Sequence, residues 1–253
     1  MQSVQRLYQY RKSISTKPFN ARGKKVNRCE HCRVAVENCI CCLVHKSHSK
    51  AGFLLLMYDT EVLKPSNTGR LIADIFDDTY AFLWQRTQAE KALTDLLNDT
   101  CWQPMIVFPG EYATSEEQVF VNELPCLTQI ERNNVETRKR PLFILLDGSW
   151  REAKKMYRKS DYLRGIPVVS FDPKLLQSSS THKYVRKSVK DNQLATAEVA
   201  ANMLGLLGEN YNAKLLALWF DVFNYQYQKS VCQINRGNVG AIEDFTDFLK
   251  KNK

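Results

Sequence analysis

The feature that most constrains the fold is an abrupt change of pattern within residues 141–159. Five apolar residues, Leu142 to Leu146, run without interruption into Asp147 and Gly148. An unbroken apolar run of that length is typical of a strand that is buried on both faces of a parallel sheet. After Gly148 the pattern takes on a helical period. The sequence therefore predicts a buried strand, a tight turn and a helix in direct succession.

The helix is predicted to begin at or next to Ser149, because Ser149 and Glu152 have the S-x-x-E spacing of a capping box. Four cations at i, i+3, i+4 and i+7 share one face of this helix, and three apolar residues can face inward. The cations are Arg151, Lys154, Lys155 and Arg158, and the inward residues are Ala153, Met156 and Tyr157. Parallel sheets bind ligands beyond the carboxyl ends of their strands. Asp147 and the basic helix face therefore predict a binding site, the alternative being an ordinary strand–helix unit with a solvated helix.

Apolar and amphipathic segments alternate along the rest of the chain, which predicts an α/β fold with a mostly parallel sheet. The further predicted strands are Ala51 to Tyr58, Tyr80 to Trp84, Pro104 to Gly110 and Ile166 to Phe171, and the further helices are Gln88 to Leu97, residues 194–208 and Lys214 to Tyr227. The acidic residues Glu111, Glu116 and Glu117 predict a solvated helix start. Residues 131–140 are predicted to be a polar linker.

The charge distribution favours a polyanionic partner. The chain has 36 Lys and Arg against 27 Asp and Glu, a net charge of +9, and such an excess suits nucleic acid. Before Glu30 there are eight cations and no acid, so this arm suits phosphate backbones, although it also resembles a transit peptide. No apolar run approaches the roughly 20 residues of a membrane span. With no secretory signal evident, we expect a cytoplasmic protein with no membrane partner.

Five of the eight cysteines lie close together within residues 29–42. A C-x2-C pair followed by a C-x-C pair supplies four thiolates, which is the ligand set of a tetrahedral zinc site. The predicted ligands are Cys29, Cys32, Cys39 and Cys41, with Cys42 spare and His31, His45 or His48 as replacements for one of them. Disulfides and an iron–sulfur cluster are the alternatives. Four thiolates leave no open position, so the zinc is expected to be structural.

Five motifs, taken in order, carry a family resemblance. They are Cys29-x2-Cys32-x6-Cys39-x-Cys41, KPSNTGRL (Lys64 to Leu71), FPG (Phe108 to Gly110), LLDGSWREAKKM (Leu145 to Met156) and TAEVAA (Thr196 to Ala201). Over about residues 28–230 the chain resembles the DTW-domain proteins, which are tRNA-uridine aminocarboxypropyltransferases. The signature D-x-T-W appears here as Asp147-Gly148-Ser149-Trp150. The family's H-P-x-E element appears as Tyr58-Asp59-Thr60-Glu61, which retains Glu61.

The resemblance implies a SPOUT-like α/β fold with a C-terminal trefoil knot that binds S-adenosylmethionine. The chain is accordingly divided into a basic arm (residues 1–27), a zinc-binding segment (residues 28–50) and a catalytic domain (residues 51–253). The implied reaction moves the 3-amino-3-carboxypropyl group of S-adenosylmethionine to N3 of a tRNA uridine and releases methylthioadenosine. The alternatives are a SPOUT-type RNA methyltransferase and a non-catalytic zinc-ribbon RNA-binding protein. The expected partner is tRNA, and no obligate protein partner is evident.

Three groups of candidate residues follow from this interpretation. Asp147 is the candidate base for the uridine N3 proton, and the alternative is that it braces the turn. The candidates for cofactor binding are Thr68 and Arg70 for the carboxylate, and Phe108, Pro109, Gly110, Leu146, Gly148, Ile166, Pro167 and Val168 for the adenosine. The candidates for tRNA binding are Trp150, Arg151, Lys154, Lys155, Arg158, Arg186 and Lys187, where Trp150 either stacks on the base or packs under the helix.

Overall fold

A six-stranded sheet forms the centre of the protein. The computed structural model describes residues 1–20, 23, 25–130, 136–172 and 194–252. The strands of this sheet are β1 (Gly52–Met57), β2 (Thr79–Leu83), β3 (Trp102–Val107), β4 (Val119–Val121), β7 (Arg140–Asp147) and β8 (Val168–Ser170), and an antiparallel pair consists of β5 (Thr128–Ile130) and β6 (Glu136–Arg138). The six strands are all parallel, in the order β2-β1-β7-β3-β8-β4. The predicted α/β class with a mostly parallel sheet is confirmed.

Helices cover both faces of the sheet. They are α1 (Ser3–Ser13), α2 (Gly69–Ile75), α3 (Lys91–Asn98), α4 (Trp150–Lys159), α5 (Thr196–Leu206), α6 (Asn210–Val231) and α7 (Ala241–Lys251). Alternate strand residues point to opposite faces: Phe53 and Phe143 pack with α1, α2 and α5 to α7, whereas Leu54 and Ile144 pack with α3 and α4. This double burial explains the unbroken apolar run of β7.

None of the helices in the described part of the chain combines the length and the apolar composition that crossing a lipid bilayer demands.

The predicted unit of strand, turn and helix around residue 147 is confirmed. Ser149 is the N-cap of α4, where its Oγ accepts a hydrogen bond from the Glu152 backbone and the Glu152 carboxylate accepts one from the Ser149 N–H at 2.7 Å. The predicted inward residues Ala153, Met156 and Tyr157 are buried. The capping box therefore sets the start of the helix, and the helix period sets which face meets the sheet.

Two predictions about the middle of the chain were wrong. Where a solvated helix start was predicted, the structure has a short 3-10 turn at Gly110–Tyr112 followed by the edge strand β4. Val119 and Val121 of β4 are exposed, at 38% and 53%, so the three-residue strand has no buried face to mark it in the sequence. The predicted polar linker contains β6 and the first residue of β7. The C-terminal knot stays a prediction.

The predicted basic arm and zinc-binding segment both contribute to the main core. Helix α1 lies within the arm, and its Val4 is fully buried. Cys32 and Ile40 join the same core cluster as α2 and α6. At the other end of α1, Arg11 pairs with Asp59 at 2.6 Å, just beyond the carboxyl end of β1. Parts of both segments therefore pack against the sheet domain, through α1 and through the cysteine cluster.

Candidate active site

Asp147 lies at the meeting point of three motifs that are far apart in the sequence. It is the last residue of β7 and is only 2% exposed. Its Oδ2 accepts a hydrogen bond from the Asn67 side-chain amide at 2.7 Å, and its Oδ1 accepts one from the Thr196 hydroxyl at 2.8 Å. Asn67 belongs to KPSNTGRL and Thr196 to TAEVAA. One carboxylate therefore connects the end of the central strand to the starts of α2 and α5.

The sheet order explains why Asn67 reaches this carboxylate. Strand β1 pairs directly with β7, and the Tyr58 N–H donates to the Asp147 carbonyl at 2.9 Å. The chain then turns back toward α2, where the Asn67 side-chain oxygen accepts a hydrogen bond from the Arg70 N–H at 3.1 Å. An N-terminal cap of this kind fixes the amide. With its oxygen held by the helix, the Asn67 NH₂ group is left to point at Asp147.

A second carboxylate extends this arrangement. Glu61 is fully buried, and its side chain accepts from the Asn67 amide at 3.3 Å and from Lys64 Nζ at 2.6 Å. Lys64 is partly exposed, so the hydrogen-bonded chain from Lys64 through Glu61 and Asn67 to Asp147 reaches the surface at one end. We call the three hydrogen-bonded residues Glu61, Asn67 and Asp147 the Glu61–Asn67–Asp147 chain.

Gly69 is required by the close approach of α2 to Asp147. A Cβ atom at position 69 would lie 2.5 Å from the Asp147 Oδ2. That distance is far below van der Waals contact, and the neighbouring atom belongs to a carboxylate that two hydrogen bonds already hold. Any side chain at position 69 must therefore displace the carboxylate or the helix.

Both interpretations of Asp147 can be judged against this geometry. Hydrogen bonds on both carboxylate oxygens directly support the bracing role, because they hold the starts of α2 and α5 against β7. A carboxylate held in a fixed orientation is also chemically suited to general base catalysis, because it can accept a proton.

An aromatic cluster lies on the other face of the sheet, at the start of α4. Trp150 stacks on Phe108 with ring centroids 5.4 Å apart, and Phe108 stacks on Tyr157 at 4.7 Å. Tyr112 meets Trp150 edge to face at 5.5 Å. Burial, followed by the hydrogen bond to Glu117, raises the pKa of Tyr157. The structure thus brings Trp150 to FPG, where it packs against Phe108 and Tyr112 and is partly exposed.

The basic face of α4 begins beside a second aromatic pair. Tyr58 and Trp84 follow the neighbouring strands β1 and β2 and stack with centroids 5.7 Å apart. Lys155 Nζ lies 5.3 Å from the centroid of the Trp84 ring and 3.4 Å from the Tyr58 hydroxyl. Arg151, Lys155 and Arg158 are exposed. The predicted cationic face of α4 is therefore solvent-accessible and borders the carboxyl ends of β1 and β2.

The structure brings some of the cofactor candidates together and leaves others apart. Phe108, Pro109 and Gly110 follow β3, while Leu146 and Gly148 flank Asp147 at the end of β7. These five residues therefore lie at the carboxyl ends of two neighbouring strands. Thr68 directly precedes α2, between Asn67 and Gly69, which both approach Asp147. Ile166 and Pro167 precede β8, and Val168 begins it, which places these three at the amino end of that strand.

Arg70 points away from Asp147. It is 1% exposed, and its guanidinium lies 4.7 Å from the centroid of the Phe223 ring in α6 and 3.6 Å from the Asp74 carboxylate. None of its three guanidinium nitrogens has a hydrogen-bond partner among the described residues. Arg70 therefore packs between α2 and α6 and is paired with Asp74. It does not lie among the residues at the carboxyl ends of the strands.

Arg186 and Lys187, two of the predicted tRNA-binding residues, lie outside the described residues.

The four predicted zinc ligands form one cluster. The Sγ atoms of Cys29, Cys32, Cys39 and Cys41 all lie within 4.8 Å of one another. The Cys29–Cys41 and Cys32–Cys39 sulfur distances are 3.6 and 3.7 Å. A zinc–sulfur bond of about 2.3 Å in a tetrahedron requires sulfur separations of about 3.8 Å, whereas a disulfide requires about 2.0 Å. The sulfur geometry therefore fits zinc, and Cys42 is exposed beside the cluster as a free thiol.

The protonation of the metal-free thiols depends on their burial. Burial raises the pKa of the Cys32 and Cys41 thiols, because a buried thiolate loses its hydration. Burial acts in the same direction on Cys29, but hydrogen bonds from the Cys32 and His31 backbone N–H groups outweigh it and lower the pKa to about 7. A metal ion must displace the remaining protons to bind.

Two residues of the site were not among the sequence candidates for it. Asn67 and Thr196 were each identified only as part of a motif, yet both donate to Asp147. Their membership of KPSNTGRL and TAEVAA was the available signal. Periodicity did not reveal them, because each precedes or begins a helix and neither contributes to an apolar face.

Comparison with known proteins agrees with the motif resemblance. No solved structure gives a significant match to this chain. A family model described as the DTW domain matches residues 26–228, which is most of the 253 residues and includes the cysteine cluster, Asn67, Asp147 and Thr196. The chain therefore belongs to the DTW domain family.

Proposed function

We propose that this protein transfers the 3-amino-3-carboxypropyl group from S-adenosylmethionine to N3 of a uridine in tRNA, with release of methylthioadenosine. Membership of the DTW domain family agrees with an enzyme that modifies tRNA. The transfer needs a nucleophilic nitrogen freed of its proton, a cofactor held with its γ-carbon toward that nitrogen, and a grip on the phosphate backbone. Each of these requirements has candidate residues at or beside the carboxyl ends of the parallel strands.

The observation that carries the proposal is the convergence of the family motifs on Asp147. Asn67, Asp147 and Thr196 come from three motifs and meet through two hydrogen bonds of 2.7 and 2.8 Å. The FPG motif ends the neighbouring strand β3, and its Phe108 stacks on Trp150 of the D-x-T-W signature. Four motifs spread over about 130 residues thus meet at the carboxyl ends of the strands of a parallel sheet, which is where such sheets bind ligands.

Asp147 is the proposed acceptor of the uridine N3 proton. The hydrogen bonds from Asn67 and Thr196 fix its orientation, and a general base must be fixed close to the proton it removes. Glu61, held between Lys64 and Asn67, in turn fixes the Asn67 amide. In this arrangement Asn67, Thr196 and Glu61 are positioning residues, and Gly69 provides the space that the carboxylate occupies.

S-adenosylmethionine supplies an electrophilic carbon next to its sulfonium. The backbone at the partly exposed residues Pro109, Gly110, Leu146 and Gly148 is proposed to hold its adenosine, with Thr68 nearby. Arg70 is not proposed as the carboxylate partner, because its guanidinium lies against Phe223 and Asp74. Orientation of the bound sulfonium then decides which of its carbons faces the nucleophile, and it thereby separates aminocarboxypropyl transfer from methyl transfer.

The reaction is tested with S-adenosylmethionine labelled either in its aminocarboxypropyl carbons or in its methyl group. Incubation with unmodified tRNA is expected to place only the aminocarboxypropyl label in RNA and to release methylthioadenosine. Transfer of the methyl label would instead identify a methyltransferase. Calorimetric titration with S-adenosylmethionine addresses the third hypothesis, because a non-catalytic zinc-ribbon RNA-binding protein has no reason to bind it.

The α4 face is expected to bind the tRNA backbone. Lys155→Glu combined with Arg158→Glu should weaken tRNA binding at least tenfold near 0.1 M salt and lower the salt slope of log K by about 2, because each lost phosphate contact removes about 0.9. Both side chains are exposed, so the fold should be unaffected. Filter binding or fluorescence anisotropy across a salt series measures the effect.

A matched pair on the opposite face of the sheet controls for net charge. Lys250→Glu with Lys251→Glu in α7 makes the same change in charge on a helix that packs against the other core cluster. This variant is expected to keep the wild-type salt slope. Equal loss of slope in both variants would show that overall charge, rather than the α4 face, determines binding.

A further inference from the structure

Arg33 is a buried cation inside the cysteine cluster's own loop. It follows Cys32, is 3% exposed, and adopts a left-handed backbone with a φ of 56°. Its N–H donates to the Cys29 carbonyl at 2.9 Å, and the Cys29 N–H donates to the Val34 carbonyl at 2.9 Å. These backbone bonds fold the loop around the first two thiolates. The conformation of Arg33 therefore depends on the loop of residues 29–34, which carries Cys29 and Cys32.

The side chain of Arg33 leaves this loop and reaches the sheet domain. Its Nη1 donates to the Val62 carbonyl at 2.7 Å, and its guanidinium carbon lies 3.8 Å from the centroid of the Tyr8 ring in α1. Burying a guanidinium is costly unless it is paired or hydrogen-bonded. Burial lowers the pKa of Arg33 to about 9, so the group is still charged at neutral pH. Arg33 thus places its charge on the Val62 carbonyl, with a longer hydrogen bond of 3.5 Å from Nη2 to the Gln5 side-chain oxygen.

That carbonyl belongs to the turn that carries Glu61. The Glu61 N–H donates to the Tyr58 carbonyl at 2.8 Å, and the Lys64 N–H donates to the Glu61 carbonyl at 3.0 Å. Val62 is fully buried at the centre of this turn. A shift of the Val62 carbonyl therefore moves the adjacent Glu61, and with it the Asn67 amide that donates to both carboxylates.

We propose that Arg33 is a positioning residue that couples metal binding at the cysteine cluster to the geometry of the Glu61–Asn67–Asp147 chain. The inference rests on the proposed function for its catalytic consequence, but the mechanical coupling does not. With the cluster filled, Arg33 holds the Val62 carbonyl and keeps the turn at residues 58–64 in place. Without metal, the loop of residues 29–34 is no longer held by the bonds from Cys29 and Cys32 to the ion. Arg33 then releases the Val62 carbonyl, and the Asn67 amide loses its fixed position.

The test replaces Arg33 with methionine in the full-length, zinc-loaded protein. Methionine keeps much of the buried apolar volume and removes the donor to Val62. Hydrogen exchange of the amides in residues 58–70 is expected to accelerate at least tenfold, and aminocarboxypropyl transfer is expected to fall by about 10- to 100-fold, mainly in kcat. The zinc content should remain one per chain. Unchanged exchange in residues 58–70 of zinc-loaded Arg33→Met would overturn the proposal.

Lys46→Met is the matched control. Lys46 lies in the same segment and donates to the Ala73 carbonyl at 3.1 Å, at the other end of α2. This variant removes a cation that also links the segment to α2, yet exchange in residues 58–70 and transfer should both stay at wild-type values. If exchange in residues 58–70 accelerated as much as in Arg33→Met, loss of any contact between this segment and the sheet domain would be sufficient. That result would contradict a specific coupling through the Val62 carbonyl.

A second variant covers the case in which Arg33→Met fails to fold. Tyr8→Leu keeps the guanidinium but removes the ring beneath it, and it is expected to accelerate exchange in residues 58–64 to a smaller extent. Hydrogen exchange separates this proposal from the proposed function. If the wild-type protein transfers nothing, the function fails, while hydrogen exchange in residues 58–70, compared between zinc-loaded and chelated wild-type protein as well as between wild type and Arg33→Met, still tests the coupling.

Discussion

Replacing Asp147 with alanine is expected to lower aminocarboxypropyl transfer by about 10²- to 10⁴-fold, the range for removal of a general base. The substitution removes the Asp147 acceptor from the Thr196 hydroxyl and leaves the Asn67 amide with its longer bond to Glu61. We therefore also expect a loss of about 1–3 kcal/mol in the free energy of unfolding. Single-turnover kinetics measure the transfer, and denaturant unfolding measures the stability. Affinity for tRNA should change little, because the exposed cations of α4 that are proposed to hold the RNA backbone are unchanged.

Asp147→Asn separates proton removal from bracing. Asparagine has the same shape and keeps one oxygen acceptor, and the Thr196 hydroxyl can rotate to accept a hydrogen bond instead of donating one. If Asp147 takes the N3 proton, Asp147→Asn should be as inactive as Asp147→Ala while it unfolds close to the wild-type denaturant concentration. Activity within about threefold of wild type in Asp147→Asn would remove Asp147 from proton transfer and leave it as a brace.

Gly69→Ala provides an independent way to disturb the same carboxylate. The added methyl would lie 2.5 Å from the Asp147 Oδ2 without altering any polar group. Transfer should fall although Asp147, Asn67 and Thr196 are all present. Gly205→Ala is the matched control, because a Cβ at position 205 meets no atom within 4 Å among the described residues. Full activity in Gly69→Ala would show that the position of the carboxylate is not critical.

The largest expected effect on stability comes from removal of a cluster cysteine. Cys32→Ala should abolish stoichiometric zinc binding and destabilise the protein by at least about 3 kcal/mol, because binding to a structural zinc site contributes directly to folding. Cys32 is 4% exposed and packs in the core that also contains Val4, Ile40 and α6. Loss of the metal should therefore loosen residues 1–50 together. Metal analysis and denaturant unfolding in the presence and absence of a chelator measure both effects.

Cys42→Ala is the matched control for the cluster. Cys42 directly follows a predicted ligand but is exposed and lies outside the four-sulfur cluster. Zinc content should stay at one per chain, and the free energy of unfolding should change by less than about 0.5 kcal/mol. Zinc loss in Cys42→Ala comparable to that in Cys32→Ala would contradict the ligand assignment. Full stability of Cys32→Ala after chelation would show that the cluster has no structural role.

Several parts of the fold were predictable because their causes lie within a few residues. The apolar run of β7, the capping box of Ser149 and Glu152, and the inward face of α4 all follow from local spacing, and the structure confirms them. The four-cysteine cluster was predictable for the same reason, since each pair of cysteines is joined by a short loop. The strand β4 was missed because its exposed valines leave no periodic signal in the sequence.

The site itself depended on contacts that local spacing does not encode. Asn67 and Thr196 lie 80 and 49 residues from the carboxylate to which they donate, and they meet it only because β7 is inserted between β1 and β3. Arg70 follows Asn67 within three residues, yet its side chain turns to Phe223 in α6. A one-dimensional pattern places both residues near a loop, and only the packing of α2 decides which of them faces Asp147.

By itself, the sequence determined the α/β class, the central strand with its capped helix, the four-cysteine cluster and the family. These depend on periodicity, caps and short-range ligand spacing, which adjacent residues specify physically. The tertiary structure alone decided that three motifs share one carboxylate, that α1 packs into the core, and that Arg33 joins the cysteine loop to the Glu61 turn. Strand order and helix packing determine those contacts, because they bring distant segments within hydrogen-bonding distance.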